Sequence, residues 1–298
     1  MAAGRGRPIR CSVCGSTRPA EPTFARLSRC TSCGFVYYDH EVDPSLDFAA
    51  LYGDEYFTGF EYFDYLGQEE ALRRSLRRHL EQMAKHCQLR GSLFEVGCAY
   101  GFFLDEARRF FDIVKGIDIA ENAVAYARDV LRADASVADF TSLDLGTQKF
   151  DVVCMWDTIE HVPSPDRFVA KAFDILRPGG HLFMTTGDID SKVARLQGAR
   201  WRQIHPPTHL SYFSRRTLTR MIERGGFEVT AVETAPYYHT LQNILATLRL
   251  RGGGAGRLAG VMLERVPAGF RQLGGWIDLR DIIFVAAGRP RVQPLPDA

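Results

Sequence analysis

The sequence predicts an α/β protein, an open parallel sheet of seven strands with helices on both faces, preceded by a small metal-binding ribbon. Three observations carry this expectation. Over residues 91–290, short apolar runs alternate with stretches of helical period, the pattern of parallel strands joined by crossover helices. A turn bearing Gly97 and Gly101 follows the first of these runs and opens a helix. Two Cys-x-x-Cys pairs stand near the N-terminus.

Residues 1–10, starting Met-Ala-Ala-Gly-Arg-Gly-Arg, read as a flexible lead, and 11–40 as the ribbon. Cys11 and Cys14 are separated from Cys30 and Cys33 by fifteen residues, and Gly15 and Gly34 each follow the second cysteine of a pair. This is the spacing of two knuckles closing on one tetrahedral Zn²⁺. Four thiolates leave no open position, so the metal is expected to be structural, and so short a segment needs it to fold. The intervening residues carry three arginines and no aromatic platform, which favours a packing module or a cap on the substrate cleft over a nucleic-acid contact.

Residues 41–90 read as an aromatic-rich connector and a helical lid. Phe48, Tyr52, Tyr56, Phe57, Phe60, Tyr62, Phe63 and Tyr65 crowd its first half. From Gln68 to Gln88 the pattern turns helical, with Leu72, Leu76, Leu80 and Met83 on one face. The core then offers strands at Leu93–Val96, Phe111–Ile117, Ala135–Val137, Phe150–Trp156, His181–Thr186, Phe227–Thr234 and Ile282–Ala287. Helices are expected at Phe102–Arg109, Glu121–Val130, Pro165–Leu176 and Ser214–Arg224. A break at about 237–279 holds two amphipathic stretches, Leu241–Leu250 and Leu258–Val266, separated by Gly252–Gly256; they would cover the substrate pocket or build a dimer contact, and a membrane-surface role for the second is disfavoured by its short apolar stretch. Residues 291–298 form a tail.

The glycine turn excludes some ligands. A dinucleotide turn reads Gly-x-Gly-x-x-Gly, whereas here Gly97, Ala99 and Gly101 are spaced two apart after Glu95. A carboxylate aimed at the crevice repels phosphate and suits a cation, and there is no phosphate-cradling Gly-x-x-x-x-Gly-Lys-Ser/Thr. Asp118, ending the second strand, is placed to accept ribose hydroxyls. Asp139-Phe140, after the third, suit an adenine edge and face.

Glu95-x-Gly97-x-Ala99-x-Gly101, Gly116-Ile-Asp118, Ala138-Asp139-Phe140, Phe150 to Trp156 and Leu176-Arg-Pro-Gly-Gly180 together resemble the class I S-adenosylmethionine-dependent methyltransferases. The resemblance implies a Rossmann-like sheet whose last strand is antiparallel, with Glu95 near the methionine end of the cofactor, Asp118 at its ribose and Asp139 at its adenine. Gly97, Cys98, Ala99, Gly101, Ile119, Phe140 and Trp156 complete the expected cofactor contacts. Alanine stands at 99 where the family usually has glycine. In related enzymes an N-terminal helical segment covers the cofactor, which makes Tyr52 and Tyr56 candidates to touch methionine or substrate; the plainer reading packs them between ribbon and core.

Asp157-Thr-Ile-Glu160-His161 follows the fourth strand, and a helical turn there would set Asp157, Glu160 and His161 on one face. Two carboxylates and an imidazole suit either a divalent metal or a base with its orienter. His205-Pro-Pro-Thr208-His209 lies downstream, with Tyr212 close behind. These elements are similar to the O-methyltransferases of ubiquinone biosynthesis, where an acid-x-x-Glu-His element and a Thr-His element hold a divalent cation at the acceptor hydroxyl. The resemblance implies either Mg²⁺ or a similar ion at Asp157, Glu160, His161 and His209, or His161 or His209 as base assisted by Glu160, with His205 and Tyr212 toward substrate.

The expected function is therefore methyl transfer to a hydroxyl of a sugar, phenol or secondary-metabolite intermediate. The alternatives are C-methylation of a nucleotide-linked keto sugar, RNA 2′-O-methylation, and a cofactor-binding scaffold without catalysis. Sugar C-methylating relatives usually carry a long further C-terminal domain, whereas this chain reads as ending with its core. The chain's 298 residues are 46% hydrophobic, with a net charge of +1, so no strong field draws nucleic acid or a membrane. No apolar run is long enough to span a bilayer, and no signal-peptide pattern opens the chain. Four of seven cysteines fall in the paired motifs and three are scattered, which fits a reducing cytoplasm. A monomer or homodimer is expected.

Overall fold

A computed structural model of the chain describes residues 10–18, 20–38, 65–251 and 253–291. Tyr52 and Tyr56 lie outside the described residues. The ribbon contributes β1 (Ala20–Pro22), β2 (Leu27–Cys30) and β3 (Val36–Tyr38). Helix α1 (Glu69–Met83) leads into the core, where β4 (Ser92–Val96), β5 (Ile113–Asp118), β6 (Asp134–Val137), β7 (Phe150–Trp156) and β8 (Leu176–Gly187) alternate with α2 (Phe102–Ala107), α3 (Glu121–Asp129) and α4 (Pro165–Ile175). After β8 come α5 (Lys192–Gln197), a two-residue strand β9 (Ser211–Tyr212), α6 (Arg215–Arg224) and β10 (Glu228–Thr234). An insertion of β11 (Tyr237–Thr240), α7 (Leu241–Arg251), α8 (Gly253–Arg265), α9 (Ala268–Arg271) and β12 (Gly274–Ile277) precedes β13 (Ile282–Gly288).

The seven-stranded sheet runs β10-β13-β8-β7-β4-β5-β6. Its last strand, β13, is antiparallel to both neighbours, while β8, β7, β4, β5 and β6 are parallel. Strand period divides the core between two faces. Val153 and Met155 of β7 join Phe168, Val169 and Ala172 of α4 and Leu218 and Ile222 of α6 on one face. Val152, Cys154 and Trp156 join Leu80 and Met83 of α1 and Phe103 of α2 on the other. Cys98 and Cys154 are buried thiols that fill apolar space, as small hydrophobes do.

The chain order reverses between β4 and β7, and in such sheets the crevice at the strand C-terminal ends receives the ligand. The ribbon is not an appendage. Cys11, Val13, Cys30, Cys33 and Phe35 belong to the same core cluster as α4 and α6, and Phe35 packs against Phe213 at 5.1 Å between ring centroids.

In the insertion, the second helix starts at Gly253 rather than beyond the glycine run. A Cβ at Gly256 would stand 2.9 Å from the Leu248 carbonyl oxygen, so this glycine lets α7 and α8 approach backbone to side. A β11–β12 pair closes the base of these helices, where the sequence reading had placed none.

Candidate functional site

A cavity of about 470 Å³ opens at the strand ends. Val96 and Gly97 after β4, Ile117 to Ile119 at β5, Ala138 to Thr141 after β6 and Trp156 to Thr158 after β7 form most of its wall. Gly97 has φ 78°, and a Cβ there would meet Thr158 Oγ1 at 2.5 Å. Ala99 also takes a left-handed turn, φ 44°, pinned by its N–H donating to Asp118 Oδ2 at 2.8 Å. Asp118 thus holds the turn as well as lining the cavity; burial raises its pKa, and the N–H groups of Ala120 and Ala99 oppose that rise. An L-residue in this conformation pays about 1 kcal/mol, and glycine's extra freedom in the unfolded chain returns a similar amount. Ala99→Gly is therefore expected to shift Tm by less than about 3 °C in calorimetry.

Three expected cofactor contacts do not reach the cavity wall. Cys98 is buried, its N–H donating to Ile117 O at 2.9 Å. Gly101 starts α2, where a Cβ would stand 2.7 Å from Ala127 Cβ, so that glycine serves helix packing. Glu95 is buried inside β4, its Oε2 without a hydrogen-bond partner, and burial and Asp118 push its pKa well up. Trp156 Nε1 and Asp157 Oδ1 are also buried without partners. Orphaned polar atoms at the ends of β4 and β7 are what a polar ligand would satisfy. Phe140 lines the cavity, but its ring is 2% exposed and packs on Phe94 and Phe168; its face belongs to the core and is not free to stack on a base. Ile119, 46% exposed, offers the apolar surface instead. Asp139 lines the wall with its Oδ1 accepting from the Thr141 N–H at 2.9 Å.

Tyr65, the last of the aromatic run, also lines the cavity, stacked on Tyr100 and Phe102 at 5.2 and 5.7 Å. Sequence reasoning saw it only as one of eight aromatics. Helix α1 itself packs on the sheet through Leu80 and Met83.

The histidines converge beside this cavity. His161 is in its wall. Its Nδ1 lies 2.9 Å from the Thr208 carbonyl oxygen; that oxygen only accepts, so Nδ1 carries the proton and Nε2 the lone pair. Thr208 also ties down His205, its hydroxyl donating to His205 O at 2.8 Å and accepting from His205 Nδ1 at 2.6 Å. The His209 ring sits 4.5 Å from that of His161 and 3.8 Å from that of His205. Burial pushes His161 and His205 down to about 4 and His209 well below its ordinary value, so all three are neutral at pH 7. Glu160, His161 and His209 each bring a ligand atom within 4.8 Å of the others.

Asp157 is not part of that cluster. The turn after β7 begins at Thr158, whose carbonyl accepts from the His161 N–H at 3.0 Å, and Asp157 before it takes φ 47°, which breaks the i, i+3, i+4 alignment. Its N–H donates to Thr185 Oγ1 and its carboxylate accepts the Tyr237 hydroxyl. Tyr212 does not line the cavity: it is 3% exposed, its hydroxyl donating to His209 O at 3.0 Å.

Residues 210–212 are held between the ribbon and the site. Tyr212 and Ser211 pair with Val36 and Tyr37, making β9 the fourth strand of the ribbon sheet. Tyr38 N–H donates to Leu210 O, and Leu210 and Ser211 N–H both donate to Glu160 O. Arg216 and Arg224 of α6 donate to the knuckle carbonyls of Cys33 and of Ser12 and Val13. Cys11 and Cys33 Sγ stand 3.6 Å apart, Cys14 and Cys30 Sγ 3.8 Å. These separations exceed the roughly 2.05 Å of a disulfide and match the edge, about 3.8 Å, of a tetrahedron with Zn–S bonds of about 2.3 Å.

Residues 68–232 match the family described as a methyltransferase domain. The chain is 26% identical over 176 residues to the ubiquinone biosynthesis O-methyltransferase of Coxiella burnetii, covering 55% of this chain and 75% of that protein. It is 32% identical over 187 residues to a Mycolicibacterium smegmatis protein named "Probable S-adenosylmethionine-dependent methyltransferase", covering 60% of this chain and 67% of the other. The YcgJ protein of Bacillus subtilis superposes with a TM-score of 0.53 over 73% of this chain and 98% of its own, at 12% identity; that likeness concerns the fold alone.

Proposed function

The chain belongs to the class I S-adenosylmethionine-dependent methyltransferases, and we propose that it methylates a hydroxyl oxygen of a small molecule, with His161 as the base. The observation that carries this reading is His161 in the cavity wall, neutral and oriented by the Thr208 carbonyl. The O-methyltransferase named among the relatives supports oxygen as acceptor.

S-adenosylmethionine supplies a methyl group already activated on a sulfonium. In this reading Asp118 takes the ribose, Asp139 and Ile119 the adenine, and Trp156 and Asp157 the amino-acid end, with Glu95 behind the wall reaching that end through water. Tyr65 closes the side facing the connector. The residues then have two tasks, to orient the acceptor oxygen and to take its proton. His161 Nε2 accepts the proton, the Thr208 carbonyl keeps the ring in place, and the Glu160 carboxylate stabilises the imidazolium. His209 and His205 form the back of the acceptor side. The four ribbon cysteines hold one structural Zn²⁺.

A second reading uses Glu160, His161 and His209 to bind a divalent cation that acidifies the hydroxyl; the mutual approach of their ligand atoms favours it. A panel of phenols, sugars and keto sugars, assayed by mass spectrometry with methyl-labelled cofactor, separates the possibilities. Methyl ethers formed without added Mg²⁺ are the expected products. Turnover that appears only on Mg²⁺ addition replaces the base with the cation, and products methylated only at carbon overturn the hydroxyl reading. Gly97→Ala combines a left-handed φ with the Thr158 clash, so cofactor affinity measured by calorimetry should fall about tenfold or more.

A further inference from the structure

The geometry points to the helical insertion as a docking surface for an anionic lipid bilayer. Nine of the seventeen large hydrophobic side chains exposed among the described residues lie between Ile244 and Leu279. On α8, Leu258, Val261 and Met262 are 62, 43 and 40% exposed, and their i, i+3, i+4 spacing makes one stripe. The opposite side, at Gly256 and Gly260, faces Leu248 and Arg249 of α7. Phe270, Leu273 and Trp276 beyond it are each at least half exposed. A surface this apolar on a water-soluble fold marks an interaction site.

Charge selects the occupant. Residues 241–280 hold six arginines against two acids, Glu264 and Asp278, a local excess of four in a chain whose net charge is +1. Arg265 continues the α8 stripe at i+7 from Leu258 and Arg257 flanks it; both are exposed and neither makes an ion pair among the described residues. Apolar side chains bordered by guanidinium groups match the boundary between acyl chains and anionic headgroups. A second copy fits poorly, because a two-fold interface would set each copy's arginines against the other's. The surface lies on a bilayer and does not span it: no helix among the described residues is long and apolar enough to cross, and the thirteen residues of α8 reach only about 20 Å.

The test is co-sedimentation of the full chain with phosphatidylcholine vesicles, with and without roughly 30% phosphatidylglycerol. Binding is expected to the anionic vesicles only, and to be lost as NaCl rises to about 0.5 M. Arg257→Gln and Arg265→Gln should each weaken it about fivefold, and Leu258→Glu with Met262→Glu should abolish it while S-adenosylmethionine still binds with unchanged affinity. Absence of binding to anionic vesicles at low salt overturns the proposal. So does a dimer in analytical ultracentrifugation that Leu258→Glu dissociates, which would make a second copy the occupant.

Discussion

Replacing His161 with alanine is expected to lower kcat by about 10²–10⁴-fold and to change the dissociation constant for S-adenosylmethionine by less than about threefold. The separation follows from position. The proposed cofactor contacts come from the ends of β4, β5 and β7 and the turn after β6, whereas His161 is held by Thr208 from another loop. The pH profile is the sharper readout. With its pKa pushed down to about 4 by burial, His161 stays neutral far below the ordinary imidazole range, so kcat/KM should hold level from pH 8 to about pH 6. The fold responds over the same window. A histidine whose folded pKa is depressed binds its proton first in the unfolded chain, so its contribution to stability is complete above about 6.5 and declines as pH falls toward 4. His161 and His205 act together here, and Tm should drop steadily across that interval. A Tm indifferent to pH between 6.5 and 4 would show that the three rings are not buried together.

Cys33→Ser should empty the ribbon of zinc, and its effect should reach the histidines. Metal binding contributes on the order of 10 kcal/mol to the folding of such modules, far more than three short strands supply. The loss propagates through named contacts: β3 pairs with β9, and Leu210 and Ser211 are bonded to the carbonyl of Glu160. Hydrogen exchange at Leu210, Ser211 and Tyr212 is expected to accelerate at least about tenfold, while β4 and β5 keep their protection. The wild-type chain should carry one zinc per molecule by elemental analysis. Unchanged exchange at 210–212 in zinc-free Cys33→Ser would mean that the ribbon does not support the site.

The local part of this design was legible in residue order. Short, nearly continuous apolar runs located the strands of the core, because helices cover the sheet on both faces and bury successive residues of β4 and β7 alike. Gly97, Asp118 and Trp156 were readable because a strand end followed by a turn leaves few places for a side chain to go. What escaped was non-local or left-handed. Asp157 looks like the start of a helical turn, and aspartate is among the few residues that tolerate φ near +50°; nothing beside it announces that choice. Ser211-Tyr212 is too short to read as a strand, and its partner lies in the ribbon. Gly274-Gly-Trp-Ile277 carries little strand propensity and pairs only because β11 stands opposite. Phe140 reads as a stacking residue until Phe94 and Phe168 enclose it.

The pairing of β3 with β9 also bears on the order in which the protein assembles. The four cysteines lie close together and precede Ser211-Tyr212 in the chain, so the proposed Zn²⁺ would be captured before that strand is made. The ribbon sheet nonetheless lacks its fourth strand until Ser211-Tyr212 arrives, across most of the chain's length. Contacts of such long sequence separation form late, because the loop must close before they reward it. The histidine loop is therefore expected to be the last part of the protein to settle, and the growing chain to carry a loaded ribbon well before it has an acceptor site.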